Sequence, residues 1–60
     1  MITINQLNYS VTIYESYLKK SGLRFGQHFC NTFGIHDPDV SYEKDTEIAI
    51  AKIKSKHVEL

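Results

Sequence analysis

A chain of 60 residues, 42% hydrophobic and 23% charged, has room for one domain and the composition of a globular protein, which argues against intrinsic disorder. Seven basic and seven acidic side chains cancel, so the general phosphate attraction behind most nucleic-acid binding is missing. A single cysteine excludes an internal disulfide and a disulfide-stapled secreted fold, and no run approaches the ~18 apolar residues of a membrane span.

The first helix is predicted over residues 3–20. Ile4, Leu7, Val11, Tyr14 and Leu18 recur at spacings of 3, 4, 3 and 4, which places them on one face. Thr3 and Gln6 have the T-x-x-Q form of a capping box, and Gly22 supplies a left-handed stop after Lys19 and Lys20. The β-branched residues within 10–14 are a counter-signal for a strand. Met1–Ser10 has neither the basic nor the apolar region of a signal peptide, so the expected setting is the reduced cytoplasm.

The second helix is predicted over 23–33 and stops at Gly34. Phe25, Phe29 and Phe33 repeat every four residues as a buried stripe. Gly26 costs about 1 kcal/mol against alanine inside a helix, a cost that close approach of another backbone would explain. Asp37–Pro38 reads as a helix start, with a short turn over 38–42. Asp45 caps the third helix, predicted over 46–57, whose core face carries Ala49, Ile50, Ile53, His57 and Leu60 with Tyr42 ahead of them. The fold class is all-α: a small three-helix domain over 1–60.

Two apolar rows are left once the core is assigned. Tyr9, Ile13 and Tyr17 lie opposite the core stripe of the first helix, and Ile48, Ala51, Ser55 and Val58 form a thinner seam on the third. Amphipathic tyrosines suit interfaces, so Tyr9, Ile13 and Tyr17 are the candidate contact row for another chain, either a target protein or a second copy. Scattered exposure of apolar side chains is the plain alternative.

Arg24, Gln27, His28 and Asn31 offer a competing face. Arginine, glutamine and asparagine pair bidentately with base edges, which would suit a small nucleic-acid-binding regulator. Zero net charge and the acidic stretch Asp37, Asp39, Glu43, Asp45 and Glu47 weigh against it. That stretch is itself a third candidate surface, since acid can imitate nucleic acid. His28, Cys30, His36, Asp37 and Asp39 are of metal-ligand type, but His28 and Cys30 diverge by roughly 200° on a helix and no zinc spacing is present, so no metal is expected. Cys30 reads as a small buried hydrophobe and His57 as a residue held by the last helical carbonyls. With no nucleophile motif, no phosphate loop and little room for a pocket, no enzyme activity and no cofactor are expected.

The pattern Arg24-x-Gly26-Gln27-x-Phe29-x-Asn31, followed by Tyr42-Glu43-x-Asp45 and a helix, resembles a group of short phage and prophage proteins without an assigned activity. The likeness covers roughly the C-terminal two-thirds; Val40 and Ser41 stand where bulkier apolar residues are the pattern. The resemblance implies a phage accessory factor that binds one host or phage protein stoichiometrically, such as a defence or transcription complex.

Overall fold

Thr3 sets the start of the first helix: its Oγ1 accepts from the Gln6 N–H at 3.1 Å while Gln6 Oε1 accepts from the Thr3 N–H at 2.8 Å. The computed structural model describes residues 1–59 and is all-α, with α1 at Ile4–Ile13, α2 at Phe25–Phe33, α3 at Pro38–Ser41 and α4 at Thr46–Lys56. Leu60, expected on the core face, lies outside the described residues.

The path predicted as one helix over 3–20 changes character halfway. Beyond Ile13 it widens into a π turn, Tyr14–Leu18, with the Lys19 N–H donating to the Tyr14 carbonyl. It then tightens into a 3-10 turn, Lys19–Ser21, and ends at Gly22 with φ 84°. Tyr14, buried at the head of the π turn, donates its hydroxyl to the Leu23 carbonyl at 2.7 Å and meets Phe25 edge to face, with ring centroids 5.4 Å apart. This contact ties the end of the first helical segment to the start of α2. The second helix begins at Phe25, two residues later than predicted, because Arg24 is extended (ψ 144°).

Phe25 and Phe29 are fully buried with Leu7, Val40, Ala49 and Ile53, and Phe33 packs half-buried at the edge of this core. α3 crosses α2 so closely that the Val40 carbonyl lies over the Gly26 Cα. Asp37 precedes α3 as predicted, but its carboxylate does not cap the helix; the Val40 and Ser41 N–H groups bond to its main-chain carbonyl at 3.1 and 2.8 Å. Asp45 does cap α4: its Oδ1 accepts from the N–H groups of Glu47 at 2.9 Å and Ile48 at 3.2 Å, an arrangement worth about 1 kcal/mol.

The core expectations fail at the helix ends and beyond them. Ile4 is 43% exposed, and Ile2, ahead of the cap, is buried at that end of the core. Ile2 bonds to the segment after α4: its N–H donates to the His57 carbonyl at 2.9 Å, and the Glu59 N–H donates back to Ile2 at 2.8 Å, forming a single parallel bridge opposite Val58. Val58 is therefore buried and does not belong to the exposed seam of Ile48, Ala51 and Ser55. Tyr42 closes α3 instead of facing the core and is 72% exposed. The radius of gyration, 10.2 Å, matches the ~10.4 Å of a close-packed chain of this length.

Candidate protein interface

On α1 the outward row stands clear of the core. Tyr9 is 69% exposed and Tyr17 75%, with Ile13 half-buried between them. The π turn improves their alignment. Three of the eight steps from Tyr9 to Tyr17 lie in the wider π turn, so Tyr17 drifts less around the axis than the roughly 80° a regular α-helix leaves. No charged side chain precedes Glu15, so the exposed neighbours at the Tyr9 end are Asn5, Gln6, Asn8 and Thr12, whereas the Tyr17 end has Glu15, Ser16, Lys19 and Lys20 beside it. Glu15 itself pairs with Lys19 at 3.2 Å, one turn on.

The polar face proposed for α2 loses two of its members. His28 is only 9% exposed; its ring lies nearly parallel to Tyr14 (29°, centroids 6.1 Å apart) and tilts against Phe25 at the same distance. Its Nδ1 is 3.4 Å from the Thr32 hydroxyl, and its Nε2 has no hydrogen-bond partner among the described residues. Arg24 is half-buried and donates from Nη1 to the Tyr42 carbonyl at 3.1 Å, so it braces the turn after α3. Gln27 and Asn31 alone remain exposed there. A base-reading face of Arg24, Gln27, His28 and Asn31 is therefore not what the fold presents.

The acidic stretch is likewise occupied from within. Asp37 Oδ2 accepts from His57 Nε2 at 2.8 Å and lies 3.6 Å from Lys56 Nζ. Asp39 pairs with Lys56 at 2.8 Å and Lys52 at 3.0 Å, and Glu43 pairs with Lys52 at 3.0 Å. Asp45 is the cap of α4, and among the described residues Glu47 is the carboxylate of this stretch with no cationic partner. Lys52 and Lys56 are one turn apart on α4, which is why both reach α3. His57 is thus held by Asp37 and not by the last carbonyls of its helix. These pairs lower all three carboxyls: Asp37 through the His57 hydrogen bond, Asp39 through Lys56, and Glu43 through Lys52. Hydrogen bonds to Asp39 in turn raise Lys52 and Lys56.

The sign of the resulting pH dependence follows from linkage. Carboxyls held below their unfolded values stabilise the fold above about pH 4, and the contribution disappears as the pH falls through the folded values. The raised lysines contribute below about pH 10 and lose their contribution as the pH rises through their folded values. Asp39 and Lys56 are too exposed to matter much, whereas Asp37 and Glu43 are shielded. Thermal unfolding followed by circular dichroism is expected to show Tm falling between about pH 5 and pH 3, with Asp37→Asn removing part of the slope. A Tm that is flat across that interval in the parent chain contradicts the network.

Cys30, Asn31, Ile35, His36, Pro38 and Tyr42 contribute to a half-open cleft of about 140 Å³ between α2 and α3. Burial pushes the Cys30 thiol up, away from the thiolate that nucleophilic chemistry needs. Among the described residues no three His, Cys, Asp or Glu side chains converge as metal ligands, and no helix is long and apolar enough to cross a membrane. No protein-family model matches the chain, and no curated protein or solved structure matches it.

Proposed function

We propose that this chain is a small non-catalytic binding protein that engages another protein stoichiometrically through the outward face of α1, with Tyr9, Ile13 and Tyr17 as the contact row. One observation carries the proposal: two tyrosines, 69% and 75% exposed, stand outside the core on a helical segment with no charged side chain before Glu15. Interface cores are depleted of charge and enriched in tyrosine, which offers apolar area and a hydroxyl on a side chain with few rotamers. The other candidate surfaces are already in use, by the core in the case of His28 and by internal ion pairs in the case of Asp37, Asp39 and Glu43. The resemblance to short phage proteins favours a host or phage protein in the bacterial cytoplasm as the target; a second copy of the chain is the other occupant of the same face.

Affinity capture from a bacterial lysate tests this, with the parent chain and a Tyr9→Ala/Tyr17→Ala variant side by side. Both tyrosines project into solvent, so the variant is expected to keep its circular dichroism spectrum while losing whatever protein the parent retains. A captured protein that binds the variant equally well removes the tyrosine row from the interface.

A further inference from the structure

Two short runs beyond the helices hold each other in place. Ile2 lies ahead of α1, and residues 57–59 follow α4. The parallel bridge between them rests on the bonds at 2.9 and 2.8 Å and covers the buried side chains of Ile2 and Val58. This is a small contact beside the packing of Phe25, Phe29 and Ile53, and segments with few buried contacts open at a lower free energy than the core. The joints for such an opening are in place. The capping box of α1 is complete within residues 3–6, and the last bond of α4 runs from the His57 N–H to the Ile53 carbonyl, so both runs can swing away with the helices intact.

His57 fastens this pair of runs to the body of the fold. Its carbonyl accepts from Ile2, its Nε2 donates to the Asp37 carboxylate at 2.8 Å, and its ring rests on Phe29. The Asp37 carboxylate is available for this role because α3 starts on the Asp37 main-chain carbonyl and takes no cap from the side chain. We propose that residues 1–2 and 57–59 form a latch that opens as one unit while α1–α4 stay folded, and that the Asp37–His57 hydrogen bond holds it shut. Opening bares Ile2, Val58 and an unpaired strand edge, the kind of backbone that pairs with another extended segment. Asp37 and His57 are positioning residues in this device, acting on Ile2 through the main chain of 57–59.

Hydrogen exchange of the full chain, read amide by amide by NMR at one pH, tests this. The Ile2 and Glu59 amides are expected to share similar protection factors, at least about tenfold below those of Phe29 and Ile53. Asp37→Ala is expected to lower both roughly three- to tenfold, as the loss of one hydrogen bond would. Asp37→Asn keeps an acceptor oxygen for His57 and is expected to give a smaller change in the same direction; it serves if the alanine variant does not fold. Lys52→Ala is the control: it loosens α3 from α4 at Asp39 and Glu43 without touching the latch, so it is expected to speed Ile53 while leaving Ile2 and Glu59 unchanged. Ile2 and Glu59 amides as protected as those of Phe29 and Ile53 overturn the separate opening, as does a Lys52→Ala chain in which Ile2 speeds as much as Ile53. If the Asp37 variants speed Ile53 but not Ile2 and Glu59, the Asp37–His57 bond is not what holds the latch.

Discussion

Replacing Gly26 with alanine is expected to leave this chain largely unfolded at room temperature. A Cβ at position 26 would sit 2.7 Å from the Val40 carbonyl carbon and closer still to its oxygen, and it would also press on Val40 Cγ1 at 3.2 Å. The obstacle is the backbone of α3, which no rotamer change moves. Val40 is itself fully buried, and α3 is held at both ends by the ion pairs of Asp37, Asp39 and Glu43 with α4. Relief therefore means sliding α3 off α2 and opening the core at Val40 and Phe29. Overpacking of side chains alone costs about 1–3 kcal/mol, and a backbone clash belongs at or above the upper end. A domain of this length has a total stability of about 3–9 kcal/mol, so a loss of that size is comparable with the whole. Urea unfolding checks the expectation: the midpoint should shift by more than half of its parent value or vanish. A Gly26→Ala chain with a parent-like midpoint would mean that α3 does not lie against α2 in this way.

Phe29→Ala is the second large effect. Phe29 is fully buried and central, with neighbouring ring centroids at 5.0 Å for Phe33, 6.3 Å for Phe25 and 6.3 Å for His57. Truncation removes the transfer energy of the ring and leaves a cavity bounded by two helices, at a cost of about 3–5 kcal/mol. The cavity would also unseat His57, whose ring rests on Phe29 while its Nε2 holds Asp37. The truncated chain is therefore expected to unfold in less urea and to lose part of the acid sensitivity of its Tm. An unchanged midpoint would place Phe29 outside the core.

The core on the regular helices was legible from periodicity. Leu7, Tyr14, Phe25, Phe29, Ala49 and Ile53 fall on predicted faces and are all buried, and the backbone contact inferred for Gly26 is the one Val40 makes. The misplaced residues stand at helix ends or beyond them: Ile4 opens α1, Tyr42 closes α3 and Val58 follows α4 in an extended bridge, where a step of about 100° no longer fixes which side meets the core. His28 is a different case. On the wheel it lies about 40° from Arg24 and about 60° from Phe25, on the border between the polar face and the aromatic stripe, and packing against the Tyr14 and Phe25 rings places it inside. The ion network was illegible for want of distance information. Its partners are separated by up to 20 residues, so the carboxylates of 37–43 and the lysines of α4 look like two opposed patches until α3 and α4 are brought together. The π turn leaves no periodicity signal of its own, yet it reduces the angular drift between Tyr9 and Tyr17.

The two halves of the chain differ in their surfaces. α2, α3 and α4 spend Phe25, Phe29, His28, Lys52 and Lys56 on packing and pairing, whereas α1 carries exposed Tyr9 among uncharged side chains and Tyr17 follows in the π turn. If another protein chain covers this face, Tyr42, 72% exposed at the end of α3, is the internal control. Limited nitration of the tyrosines, mapped by mass spectrometry at low and at high protein concentration and in any captured complex, compares the three exposed rings directly. Tyr9 and Tyr17 are expected to become protected together on association while Tyr42 keeps its reactivity. If Tyr9, Tyr17 and Tyr42 react at the same relative rates under every condition, the α1 face is not covered and the claim is contradicted.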